Sequence, residues 1–177
     1  MKAREYIENH WIKNKIWTHL EKRKHRTRFK NCISYLRGKS FIDIGCGLGH
    51  STYHMKKLLP GNWSGLEFMQ EAVKEAEKLF PDITFYYAKD FNFLPACGQF
   101  DGVVCSEVIE HVEDDKALIS GLISITKKVL VITTPNRKVN DPGHLQVYTK
   151  EKLSELLNGY NFEIINEGAF FYGVIKK

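Results

Sequence analysis

At 177 residues, 43% hydrophobic and 27% charged, the chain has room for one ordinary globular domain and falls outside the collagen-like, low-complexity and wholly disordered classes. It has no apolar run near the ~18 residues of a membrane span, no apolar stretch in the opening MKAREYIENHW, and no C-x-x-C pair among Cys32, Cys46, Cys97 and Cys105, so a cytoplasmic protein with reduced thiols and no membrane partner is expected. The net charge of +5 is unevenly placed: residues 1–30 hold ten Lys/Arg against Glu5, Glu8 and Glu21, which makes +7 and leaves −2 for the remainder.

That basic stretch reads either as a solvated helix face or as an arm for an anionic partner such as RNA. EKRKHRTR has no interleaved aromatic to stack on bases, which favours the solvated face. Tyr6, Ile7, Trp11, Ile16, Trp17 and Leu20 recur at helical spacing. Residues 1–37 are therefore expected to form a basic helical leader, with Trp11 and Trp17 packed as a partial lid on a domain spanning 38–177. Beyond Gly38 the texture changes. FIDI (41–44) reads as a buried strand, 50–59 as a helix stopped by Pro60-Gly61, and WSGLEF (63–68) as a second strand. MQEAVKEAEKLF (69–80) has one apolar face and ends before Pro81. ITFYYA (83–88) and FDGVVCS (100–106) are strands three and four, 115–125 a helix capped by Asp114 or Asp115, and VLVITT (129–134) strand five. Thr149 caps KEKLSELL, Asn158-Gly159 ends it, and FEIINEGAFFYGVIKK gives two more strands. Strands alternating with helices predict an α/β, parallel-rich sheet covered on both faces, whose ligands lie beyond the carboxyl ends of the strands.

The first strand runs into Asp43-Ile44-Gly45-Cys46-Gly47-Leu48-Gly49. Glycines at alternate positions allow a tight turn and close approach of a ligand. The spacing G-x-G-x-G differs from the dinucleotide pattern, and Asp43 would repel a pyrophosphate while attracting an ammonium and a sulfonium. Glu67 at the end of strand two suits the hydroxyls of a ribose. Asp90, after strand three, suits an adenine amino group, with Phe91 as an apolar wall.

FIDIGCGLG, LEF, AKDF and FDGVVCSEVIEHV resemble, in order and spacing, the successive motifs of the class I S-adenosylmethionine-dependent methyltransferases, from about Phe41 to the final hairpin. The resemblance implies a Rossmann-like seven-stranded sheet with an antiparallel terminal strand. It also implies a cofactor site of Asp43, Gly45, Gly47, Gly49, Glu67, Phe68, Asp90, Phe91 and Ser106. VLVITTPN resembles the strand-five segment of family members that act on quinones, sugars and other small molecules, although Ile125-Thr126-Lys127-Lys128 replaces the glycine-rich turn usual there.

An oxygen or nitrogen acceptor must lose a proton, which calls for a base or a metal. If Ser106–Val112 is helical, Glu107, Glu110 and His111 stand at i, i+3 and i+4 on one face. His111 is the expected base with Glu107 beside it. Alternatively Glu107, Glu110, His111 and His144 gather Mg²⁺ or Mn²⁺, an arrangement that resembles the E-x-x-E-H of small-RNA terminal 2′-O-methyltransferases. In the metal-free reading these residues shape the cleft or cap a helix. His50 and His54 read as helix-face residues, Cys46 and Cys105 as buried fillers. An NAD-linked oxidoreductase and a cofactor-binding module without catalysis are the readings from other classes. The first is disfavoured by Asp43, the second by the intact row of acids. Neither the acceptor nor the oligomeric state is written in the sequence; acceptor selection is assigned to the leader and the 136–148 loop.

Overall fold

The computed structural model describes residues 20–141 and 143–177. The helical repeat from Tyr6 to Trp17, and the lid expected of it, lie outside the described residues. Twelve principal elements follow in order: α1 (Arg23–Tyr35), β1 (Ser40–Ile44), α2 (His50–Leu58), β2 (Asn62–Glu67), α3 (Gln70–Leu79), β3 (Thr84–Tyr87), β4 (Phe100–Ser106), α4 (Asp115–Ile125), β5 (Thr126–Pro135), α5 (Lys150–Leu156), β6 (Phe162–Glu167) and β7 (Phe170–Lys176). Two short 3₁₀ turns, Phe91–Cys97 and Ile109–His111, flank β4.

The strands form one seven-stranded sheet in the order β3-β2-β1-β4-β5-β7-β6. All neighbours from β3 to β5 are parallel, while β7 runs antiparallel to both β5 and β6. The order reverses between β1 and β4, so a crevice opens at the carboxyl ends of these strands. The strand period of two divides the core cleanly. Ile42, Ile44, Val103, Cys105, Leu130, Ile132 and Ile175 point to the face covered by α4 and α5. Phe41, Val104, Val129, Val131, Tyr172 and Val174 point to the face where α1 contributes Phe29 and Cys32, its C-cap residue Leu36 joins them, and α2 contributes Met55. Asp43 lies on this second face, where α2 begins. The second half of the basic leader is thus a core helix rather than an appendage.

The caps act as expected: Asp114 accepts from Ala117 N at 2.9 Å and Thr149 from Lys152 N at 3.2 Å. In place of a glycine-rich turn before β5, α4 passes directly into the strand, with the Thr126 hydroxyl bonded to Leu122 O at 2.7 Å. The β4–β5 register shifts between Phe100 and Gly102 at this junction, which absorbs the abrupt change of direction.

Candidate functional site

The crevice is a cavity of about 460 Å³ lined from the ends of β1, β2 and β4 and by α1. On the β1–β2 side the loop is sewn to the sheet: Gly45 and Cys46 donate their N–H groups to Leu66 O at 2.8 and 3.0 Å. Gly45 and Gly49 have φ of 71° and 80°. A Cβ on them would come within 2.4 Å of Val108 Cγ2 and 2.6 Å of Phe85 Cζ, so conformation and packing both demand glycine. Glu67 closes the loop from below. Its Oε2 accepts from Gly47 N at 2.8 Å, and its Oε1 from Phe68 N at 2.7 Å and Met69 N at 3.2 Å. Burial raises its pKa and these three bonds oppose that shift. Asp43, 2% exposed, accepts from Ser51 Oγ and Thr52 Oγ1 at 2.7 and 2.8 Å, and burial still pushes it up to about 6.

Asp43, Gly45, Gly47, Glu67, Phe68 and Ser106 all line the cavity as expected. Gly49 instead starts α2. Asp90 is exposed and caps the Phe91–Cys97 turn, its Oδ1 accepting from Asn92 N at 2.9 Å. Phe91 stands edge-on to Phe68, ring centroids 5.3 Å apart. It thus backs the wall that Phe68 forms, and neither Asp90 nor Phe91 is among the residues lining the cavity.

The β4 side departs from the expected helix. Glu107 has φ 59°, the one non-glycine residue with positive φ among those described. This kink throws its side chain away from the Ile109–His111 turn, so Glu107, Glu110 and His111 do not share one helical face. Glu107 instead pairs with Arg28 at 2.7 Å. Of the four candidate metal ligands, Glu110, His111 and His144 each bring one ligand atom within 4.8 Å of the others, and Glu107 is not part of that group. Glu110 is 1% exposed, with neither carboxyl oxygen hydrogen-bonded; the Thr134 hydroxyl lies close without satisfying bond geometry. Burial, then the charge of Glu107, pushes Glu110 up to about 8, so it is largely a neutral acid at pH 7. His111 and His144 meet edge to face at 4.6 Å. Burial first, and then His111, lowers the pKa of His144. Ser106 Oγ is held by Thr133 Oγ1 at 2.8 Å.

Arg28 is the cleft residue that the sequence did not single out. It reaches the cavity from α1, only 7% exposed, with its guanidinium 4.6 Å from the Phe29 ring and 4.8 Å from the Phe170 ring. Its Nε has no hydrogen-bond partner, nor does Glu107 Oε1. The missed signal was helical: His25, Arg28, Phe29, Cys32 and Leu36 fall on one face, so one arginine of the basic run had to point inward.

Residues 17–167 match the profile of a family described as a methyltransferase domain. The chain belongs to that family. As a methyltransferase domain it is 27% identical over 129 residues to the 2-methyl-6-phytyl-1,4-hydroquinone methyltransferase of Synechocystis sp., an alignment covering 70% of this chain and 41% of that protein. It is 33% identical over 110 residues to the ubiquinone biosynthesis O-methyltransferase of Psychrobacter cryohalolentis, covering 58% of this chain and 43% of that one. The chain therefore matches less than half the length of these relatives. Its fold is shared with the magnesium protoporphyrin IX methyltransferase of Synechocystis PCC 6803 with bound SAH, at TM-score 0.69 and 18% identity, over 86% of this chain and 84% of the other. The seven-stranded methyltransferase sheet expected from the sequence is thus the fold observed.

Proposed function

We propose that this methyltransferase domain transfers the methyl group of S-adenosylmethionine to an oxygen or nitrogen of a small-molecule acceptor. One observation carries the reading: the glycine loop opens on a cleft holding two buried acids, Asp43 and Glu67, and one buried cation, Arg28. That layout fits a ligand with ribose hydroxyls, an ammonium and sulfonium, and a carboxylate. The pyrophosphate of NAD would face the buried Asp43, whose charge repels it. Similarity to methyltransferases of small molecules supports the acceptor class.

Bound there, the cofactor supplies an electrophilic methyl on a positively charged sulfur that departs neutral. Glu67 Oε2 carries a single N–H and keeps a lone pair for a ribose hydroxyl. Asp43 would face the positive end, and the Arg28 guanidinium, which lines the cavity, would take the carboxylate. Holding donor and acceptor in line is worth about 7–11 kcal/mol of the barrier. The remaining task is the acceptor's proton, and its assignment to His111 is supported by the presence of that imidazole on the cleft wall. Calorimetry is expected to show binding of S-adenosylmethionine and S-adenosylhomocysteine and none of NAD, followed by transfer of labelled methyl to phenols, amines or carboxylic acids. The opposite ligand preference would remove the proposal.

The convergence of Glu110, His111 and His144, with both Glu110 oxygens unpartnered, favours a second reading in which these three hold Mg²⁺ or Mn²⁺. The ion would displace the Glu110 proton and acidify a hydroxyl pair such as an RNA terminal ribose. The first reading predicts turnover indifferent to chelator. Complete inhibition restored by Mn²⁺ would select the second.

A further inference from the structure

We propose that Asp141 is a positioning residue for His111: it pins a turn whose Gly143 carbonyl holds the His111 Nδ1 proton, leaving Nε2 as the nitrogen available to the cleft. His111 Nδ1 lies 2.8 Å from Gly143 O. A carbonyl oxygen only accepts, so this bond requires Nδ1 to carry the hydrogen and leaves Nε2 with its lone pair when the ring is neutral. Gly143 is held on both sides by one residue. Its own N–H donates to Asp141 Oδ1 at 2.8 Å, and the next N–H, of His144, donates to Asp141 O at 3.1 Å. The peptide group that gives its carbonyl to His111 carries the His144 N–H, held by the Asp141 main-chain carbonyl, and the peptide before it is held through the Gly143 N–H by the Asp141 carboxylate. A Cβ on Gly143 would stand 3.2 Å from both His111 Nδ1 and Asp141 Oδ1, a tight approach to the ring and to the carboxylate.

The two segments are also tied beyond the turn. Leu145 N and Gln146 N donate to Glu110 O at 2.9 and 3.2 Å, and Gln146 Nε2 donates to Val112 O at 2.9 Å. These bonds fix the backbone around His111 but none touches its ring. The imidazole is oriented by its bond to Gly143 O and by the edge-to-face His144 ring, and the N–H groups of both Gly143 and His144 are held by Asp141. A base or metal ligand whose idle nitrogen is bonded to a third group keeps one tautomer and one ring setting. The inference applies to either role of His111 and depends on the proposed function only for its effect on turnover.

The test uses the full chain labelled with ¹⁵N at histidine, observed at about pH 8.5, where imidazoles are neutral, with His111→Gln supplying the assignment. Wild type is expected to show Nδ1 protonated and Nε2 bare. Asp141→Ala should give mixed tautomers at His111, with kcat lower by about 10–100-fold and the cofactor KM unchanged. Asp141→Asn, whose side-chain oxygen accepts the same bond, should restore both. A proton on Nε2 in wild type, or an unchanged tautomer in a cooperatively melting Asp141→Ala, would overturn the proposal. If no acceptor is methylated at all, the proposed function fails while the tautomer spectra still decide this point.

Discussion

The two halves of the cleft differ in how their polar groups are occupied. On the β1–β2 side every buried acid is engaged: Glu67 holds three backbone N–H groups and Asp43 two hydroxyls. On the β4–β5 side Glu110, Thr134 and one oxygen of Glu107 are buried without a hydrogen bond, and Glu107 sits at positive φ. Buried polar groups left unpaired cost free energy, as does a non-glycine residue in that conformation. The first half is a finished scaffold that can receive a ligand without rearranging. The second stores unmet bonding capacity, which an ion held among Glu110, His111 and His144 would meet at Glu110.

The contrast can be broken most severely at His111. Replacing it with alanine should lower kcat by about 10²–10⁴ while leaving calorimetric binding of S-adenosylhomocysteine intact; a matching loss of binding would mean that the halves are not separable. Glu67→Ala is the mirror experiment. It removes the acceptor of Gly47 N and, on the proposed function, the acceptor of a ribose hydroxyl, so S-adenosylhomocysteine affinity should fall by about 1–3 kcal/mol, roughly 5–150-fold.

These two residues also mark what the sequence disclosed. Glu67 was readable because a strand end and a glycine loop at fixed spacing leave little freedom in where it lies. Strand limits such as 100–106 and the Asp114 and Thr149 caps were readable for the same local reason. The β4–β5 half was not. Nothing in Ser-Glu-Val-Ile-Glu-His announces a left-handed Glu107, because the kink is imposed by long-range bonds: its N–H to Thr133 O at 2.9 Å and its carboxylate to Arg28. The Phe91–Cys97 turn contains Pro95 and has no amphipathic period, so beyond its Asp90 cap it is defined by tertiary packing on α4. Arg28 was hidden among cations of identical type, and its burial depends on Phe170 from a distant strand.

Arg28 sharpens the comparison further. Arg28→Met should cost S-adenosylhomocysteine about tenfold in affinity, the scale of one charge-assisted bond. It should cost 5′-methylthioadenosine, which lacks the carboxylate, almost nothing; equal losses for the two ligands would deny Arg28 that role. The smallest expected effect concerns stability. Glu110 titrates near 8 in the folded chain against an ordinary 4.5. The folded state therefore keeps a proton that the unfolded state has released, and stability falls as pH rises towards 8. Asp43, raised to about 6, acts in the same direction over a lower range. Thermal melts should show Tm falling by a few degrees between about pH 6 and 8. Glu110→Gln should flatten that decline; an unchanged slope would mean that Glu110 is ionised in the folded chain.

The strand order has a consequence in time. β7 fills the place between β5 and β6 although it follows both in sequence. The guanidinium of Arg28 rests on Phe170, at the first position of that strand and 142 positions further along. Closing so distant a contact is slow on entropic grounds, because loop closure precedes any reward from pairing. A growing chain can therefore assemble the glycine loop and its acids early, yet it acquires the aromatic seat of its one buried cleft arginine only when the hairpin docks. The final seating of Arg28 in the cleft is in this sense a late property of the molecule.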